Sequence, residues 1–145
     1  MKASKPKPII GWREWVALPQ LGIEKIKVKV DTGARTSALH AHKVTPEMRD
    51  DGLWVKFSVQ PQQKTKAGAV ACEARVLQKR VVRDSGGHEE ERYLIESLVR
   101  IGDSQWPIEI TLTSRDAMGF RMLLGRTAVR RRFLVDSARS YLRGK

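Results

Sequence analysis

Apolar and polar residues trade places at every second position along several stretches of this chain, the period of a strand with one buried face. The clearest case is residues 26–30, where Ile26, Val28 and Val30 alternate with Lys27 and Lys29 before the chain enters Asp31-Thr32-Gly33. Residues 53–59 and 106–113 alternate as cleanly, and Pro107 suggests where the second of these begins. Residues 9–12 and 14–18 read as strand and 19–22 as a turn, with Trp12 and Trp15 expected in the core. Residues 69–76 and 74–81 alternate less regularly, and the polar stretch 61–68 before them predicts a hairpin. A second hairpin is predicted between 81–91 and 92–102, around Gly86-Gly87. Residues 45–52 read as a turn or helical turn, Gly119 as a turn before 120–124, residues 127–132 as one or two helical turns and 133–136 as a last strand. Many short strands with so little helix predict a mainly β fold, a small barrel or sandwich.

A chain of 145 residues is ordinarily one domain with a core of its own, assigned here to residues 9–145 behind a flexible basic arm, 1–8. Lys and Arg number 28 against 16 Asp and Glu, a formal net charge of +12, which points to a polyanionic partner: nucleic acid, the ribosome, an anionic membrane or an acidic peptide. Residues 115–145 hold nine basic and two acidic side chains, so this segment alone contributes +7. Cys72 is the single cysteine, within a strand-like stretch, and is expected to be a buried structural thiol in a reducing compartment. No apolar run has the length of a signal peptide core or a membrane span, so a cytoplasmic protein is expected, with no membrane partner.

The chemistry centres on Asp31, a carboxylate at the end of a rigid strand. Gly33 lets the chain turn sharply there, and Thr32 sets a hydroxyl beside it. Asp31-Thr32-Gly33-Ala34 resembles the active-site loop of aspartic proteases, and Leu123-Leu124-Gly125-Arg126-Thr127 resembles their second signature, two large apolar residues and a glycine before a short helix. The two stand in the right order, about ninety residues apart, a stronger signal than either alone. With one Asp-Thr-Gly, the chain is similar to the retropepsins, which build their site from two identical protomers. Residues 10–15, 29–41 and 122–126 look like a bacterial retropepsin-like family often labelled "ATP-dependent zinc protease". The resemblance runs from about Ile10 to Tyr141. Some members are associated with RimK, a ligase that adds glutamates to the C-terminus of a small-subunit ribosomal protein.

The resemblance implies a retropepsin-like acid-protease closed barrel with one Asp-Thr-Gly lobe per chain, working as a homodimer. It implies an aspartic peptidase that hydrolyses glutamate-rich tails, with a ribosomal protein and a RimK-like ligase as partners. Two Asp31 carboxylates across a two-fold axis would share one proton, one acting as general base and the other as general acid. Thr32 would link the two loops, Gly33 admit the substrate, Ala34 pack beneath, and Leu123, Leu124 and Gly125 hold the carboxylate plane. Ser85-Gly86-Gly87 is assigned as the tip of a flap.

Arg35 stands where retroviral relatives commonly carry an acidic residue. It either reads a glutamate side chain or pairs with a carboxylate of its own fold, such as Glu109. Thr36, Arg80 and Arg83 are the further candidates for substrate binding, and Arg126 is read as structural. His40 and His42 lie on one face of an extended stretch without a third ligand, and no His-Glu-x-x-His or phosphate-binding Gly-x-x-x-x-Gly-Lys loop exists; neither zinc nor any other cofactor is expected. The alternative is a noncatalytic basic module docking on the ribosome, RNA or a glutamate-ligase partner. A shortage of exposed aromatics among the basic residues counts against generic RNA binding.

Overall fold

The computed structural model describes residues 6–61, 68–83, 86–114 and 119–144. Its strands are β1 (Ile9–Leu18), β2 (Ile23–Asp31), β3 (Ser37–His40), β4 (His42–Arg49), β5 (Gly52–Val59), β6 (Val70–Arg83), β7 (Glu89–Ile101), β8 (Ser104–Thr113), β9 (Met122–Gly125) and β10 (Leu134–Ser140). One helical turn, α1 (Arg126–Val129), follows β9. Hydrogen bonding orders them β10-β1-β2-β9-β3-β8-β7-β6-β5-β4, and a further pairing of Ala17 with Arg100 brings β1 onto β7. Strands β1, β2, β9, β3, β8 and β7 thereby close into a six-stranded barrel, as the retropepsin-like expectation requires. Closure leaves those strands without open edges. Outside the barrel, β6, β5 and β4 continue as an antiparallel extension.

The alternation explains the core. Ile26, Val28 and Val30 of β2 point inward and meet Ile108, Ile110 and Leu112 of β8, Val99 and Ile101 of β7, and Leu39 and Leu124. Cys72 belongs to the same core, where burial pushes its thiol up to about 11 and its Sγ donates to the Leu21 carbonyl at 3.3 Å. That is the inert thiol expected of a strand position.

Several expectations are corrected. Residues 45–49 are strand, part of β4, with Thr45 opposite Lys56 and Glu47 opposite Trp54; the turn occupies only Asp50 and Asp51. Pro46 is tolerated because β4 ends the sheet and has a neighbour on one side only. Pro107 lies inside β8 instead of opening it. Its partner Leu98 directs its N–H to Gln20 Oε1 at 2.9 Å, so the ladder asks no donor of position 107. Trp12 and Trp15 are half-buried outside the core: Trp12 meets Phe120 edge to face and Trp15 stacks on Tyr141. Register shifts near Gly11 and Val16 break the alternation of β1 there. Finally β10 runs to Ser140, parallel to β1, and Gly11 makes that approach possible: a Cβ there would stand 2.2 Å from the Arg139 carbonyl oxygen.

Candidate active site

The strand β2 ends on Asp31, and the loop after it is tied at four of its carbonyls, those of Asp31, Gly33, Ala34 and Arg35. Asp31 O accepts from Ala34 N at 3.1 Å, closing a tight turn, and Asp31 Oδ1 accepts from Gly33 N at 3.0 Å. A Cβ on residue 33 would press on that oxygen at 3.3 Å, so the turn favours glycine for space as well as for flexibility. Between β2 and β3, the strands that this loop joins, runs β9, parallel to β2 with Asp31 opposite Gly125 and antiparallel to β3 with Ala38 opposite Leu123. The second signature therefore passes beneath the first. Gly125 N donates to the fully buried Ser37 hydroxyl at 3.0 Å, and a side chain on Gly125 would collide with the Thr36 backbone at 2.6 Å.

The helical turn α1 completes the clamp. Arg126 N donates to Ala34 O at 2.8 Å, Arg126 Nη1 to Gly33 O at 3.1 Å, and the Thr127 hydroxyl to Arg35 O at 2.7 Å. Three successive loop carbonyls are thus fixed by residues 126 and 127. Thr32 is exposed and Asp31 half-exposed at the lip, Leu124 is buried beneath, and Leu123 is half-buried opposite Lys29. A carboxylate held this way keeps its orientation without help from its own flexibility.

Beside the loop is a polar cleft of about 360 Å³ lined by Arg35, Thr36, Arg80, Glu96, Glu109 and Arg130, among others. Arg80 Nη1 donates to the Thr36 hydroxyl at 3.4 Å, and its other nitrogen stands 3.9 Å from Glu109 Oε2. It is Arg80, not Arg35, that approaches Glu109. Arg83 does not line this cleft; it lies near the end of the β6–β7 hairpin, paired across it with Glu89. Gly86 and Gly87 are exposed beyond Arg83, Gly87 with φ +83°, while Ser85 lies outside the described residues, as do the first five residues of the arm.

A model of the RimB-like family, described as retropepsin-like aspartic endopeptidase RimB, matches residues 9–145. The chain belongs to that family. It is 44% identical over 142 residues to a "Probable alpha-L-glutamate ligase" of Shewanella pealeana, a match covering 98% of this chain and 31% of that one. Another protein of that name, from Parasynechococcus marenigrum, is 47% identical over 138 residues, 95% of this chain and 30% of that one. The chain thus spans less than a third of the curated relatives it matches. Among solved structures, Lpg0085 of Legionella pneumophila, a protein of unknown function, superposes with a TM-score of 0.75 at 26% identity, covering 94% of this chain and 98% of that one.

Against this family background, His40, one of the two histidines weighed as a zinc ligand, is engaged within the fold. His40 is buried, its Nδ1 faces the Arg121 guanidinium at 2.9 Å and its Nε2 the Ser114 carbonyl at 3.0 Å. An arginine can only donate, so Nδ1 accepts and Nε2 carries the proton. Both nitrogens are committed, and among the described residues no three His, Cys, Asp or Glu side chains gather at metal distance. No described helix is long and apolar enough to cross a membrane. Sequence reasoning missed Ser37 and Arg130, and it placed Thr127 in the second signature without giving it a role. Thr127 ends the second signature and Arg130 opens a run of three arginines, but nothing in the alternation marks a buried serine as a hydrogen-bond acceptor for the neighbouring strand.

Proposed function

We propose that the protein is an aspartic peptidase that hydrolyses amide bonds in glutamate-rich tails. The observation that carries this reading is the Asp31 carboxylate at the lip of a clamped loop, next to a cleft with three arginines, Arg35, Arg80 and Arg130. Amide hydrolysis without a covalent intermediate needs one group to take a proton from water and another to give one to the carbonyl oxygen or the leaving nitrogen. Two Asp31 carboxylates, one from each of two copies, supply both. About 3 Å apart they cannot easily both ionise, so they hold one proton between them and titrate as a pair. The ionised member deprotonates the water that attacks the carbonyl carbon, and the protonated member donates to the oxygen. The C–N bond then breaks as the carboxyl that took the water's proton passes it to the nitrogen, while the other carboxylate takes back a proton from the gem-diol hydroxyl, which restores the starting dyad.

The guanidiniums of Arg35 and Arg80 are the candidate readers of glutamate carboxylates, and Arg130, which lines the same cleft, joins them. Ser85, Gly86 and Gly87 serve in this reading as the tip of a covering flap. A glutamate ligase is the favoured partner, since relatives that carry this unit within longer chains bear a ligase name. On such a chain one activity would add glutamates and the other remove them, with a ribosomal protein tail as a candidate substrate. Incubation with oligo-α-glutamate at pH 5 and pH 7, read by mass spectrometry, is expected to show chain shortening. Asp31→Asn is expected to lower turnover by at least about a thousandfold, as the loss of a group central to acid–base chemistry does. Full turnover in that variant would remove the mechanism.

A further inference from the structure

Along β1 and β2, the half-buried rings of Trp12, Trp15 and Tyr141 and the buried ring of Phe120 stand among cations. Trp15 stacks on Tyr141 with ring centroids 5.8 Å apart, and Trp12 meets Phe120 at 6.0 Å. Arg13 lies over both Trp12, at 4.7 Å, and Tyr141, at 5.1 Å; Lys25 lies over Trp15 at 4.5 Å and Lys27 over Phe120 at 5.3 Å. The strand register sets Trp15 opposite Lys27 and Arg13 opposite Lys29, so the pattern continues across two strands. Next to Trp15 and Lys25 opens a shallow groove of about 170 Å³, to which Arg100 and Arg143 add two further cations and Glu24 one acid.

Among the described residues, no ion pair involves Arg13, Lys25, Lys27, Arg100 or Arg143. Their charge is therefore open to an outside anion. A cation resting on a ring is held in place without a counter-ion, so it meets an incoming anion already ordered and loses little entropy on binding.

We propose that this face binds single-stranded nucleic acid, with phosphates on Lys25, Lys27, Arg100 and Arg143 and bases against Trp15, Tyr141 and the Arg13 guanidinium. The charge complementarity fits any polyanion, but the planar groups between the cations select one whose charges alternate with flat rings. An acidic peptide has no such rings, and a duplex keeps its bases inside. The site is separate from the arginine cleft and shares no residue with it.

Fluorescence anisotropy with labelled fifteen-nucleotide oligo(U) and oligo(dT) tests this, with a duplex and an oligo-glutamate of equal charge as competitors. The two single strands distinguish RNA from DNA as the source. The expected result is single-strand binding that both competitors displace at least about tenfold less well than unlabelled strand, and that weakens steeply with salt. Lys25→Gln with Lys27→Gln is expected to lower the log–log salt slope by about 1.4, two phosphate contacts at about 0.7 each. Trp15→Leu is expected to weaken binding about tenfold with the slope kept, as loss of stacking does. The lysine pair is a surface change that keeps the test valid should Trp15→Leu unfold. Equal displacement by oligo-glutamate, or a slope unchanged in the lysine pair, would overturn the proposal.

Discussion

Glu14 shows what a single residue contributes here. It is fully buried, and its carboxylate accepts three backbone N–H groups: Gly11 at 2.6 Å, Leu142 at 2.8 Å and Arg143 at 3.0 Å. Together they fasten the C-terminal segment to β1 alongside the bond from Tyr141 N to Arg13 O. In Glu14→Gln one oxygen becomes an NH2 that faces a donor. At about 1.5–3 kcal/mol for a hydrogen bond to a charged group, the expected cost is about 2–4 kcal/mol, read as a lower urea midpoint at unchanged slope. An unchanged midpoint would mean that the strap contributes nothing to folding. Part of this was legible: Glu14 is in phase with Val16 and Leu18, so a carboxylate stood on an apolar row. Two of its three partners, Leu142 and Arg143, were not, because they lie 128 and 129 residues further along the chain. Asp31 is the reverse case, since its loop, its turn and its glycine are all local and could be read directly.

At the scale of elements, the strands were visible wherever apolar residues alternate with polar ones, as in β2, β5 and β8. The failures came where a strand carries residues that also make turns. In β4, Pro46 and the Asp50-Asp51-Gly52 end imitate a loop, and what holds it as a strand is a cross-strand cluster. Arg49 bonds Glu47 on its own strand and Glu73 on β6, each within 3 Å, and lies over the Trp54 ring of β5 at 4.4 Å. The Arg49 hydrogen bonds hold both glutamates below their ordinary value of 4.5. Lowered carboxylate values favour the folded state above the unfolded value, and this contribution disappears as pH falls through the lowered folded values. Carboxyl chemical shifts followed from pH 6 down to 2 are expected to place both midpoints below 4.5 in the wild type, and Arg49→Gln to return both toward it. Midpoints that stay low in the variant would assign the shift to another cause. Glu90 repeats the pattern on β7: burial raises its value, but bonds from Ser114 and Arg92 outweigh burial and hold it low. It links β7 to the end of β8 in the same acid-sensitive way.

For the whole molecule, the net charge was plain in the composition but its placement was not. Much of the basic C-terminal segment is engaged within the fold: Arg126 on Gly33, Arg121 on His40, Arg132 over Trp106 and Arg139 with Asp136. Among the described residues, two groups of cations gather in separate places, one in the cleft beside Asp31 and one at the aromatic face of β1 and β2. A second consequence of the whole fold is that each barrel offers one Asp31 at its lip. If the proposed dyad is the catalyst, a molecule alone is inactive, and only a pair of molecules can hydrolyse an amide. Mixing wild type with an equal amount of Asp31→Asn tests this directly. After subunits exchange at random, about half of the wild-type chains are paired with a mutant partner. If those mixed pairs are dead, activity per wild-type chain is expected to fall to about half, and further as the mutant excess grows. If one Asp31 suffices, activity per wild-type chain stays constant at every ratio, and the shared-proton mechanism has to be replaced by one in which a single carboxylate does both proton transfers.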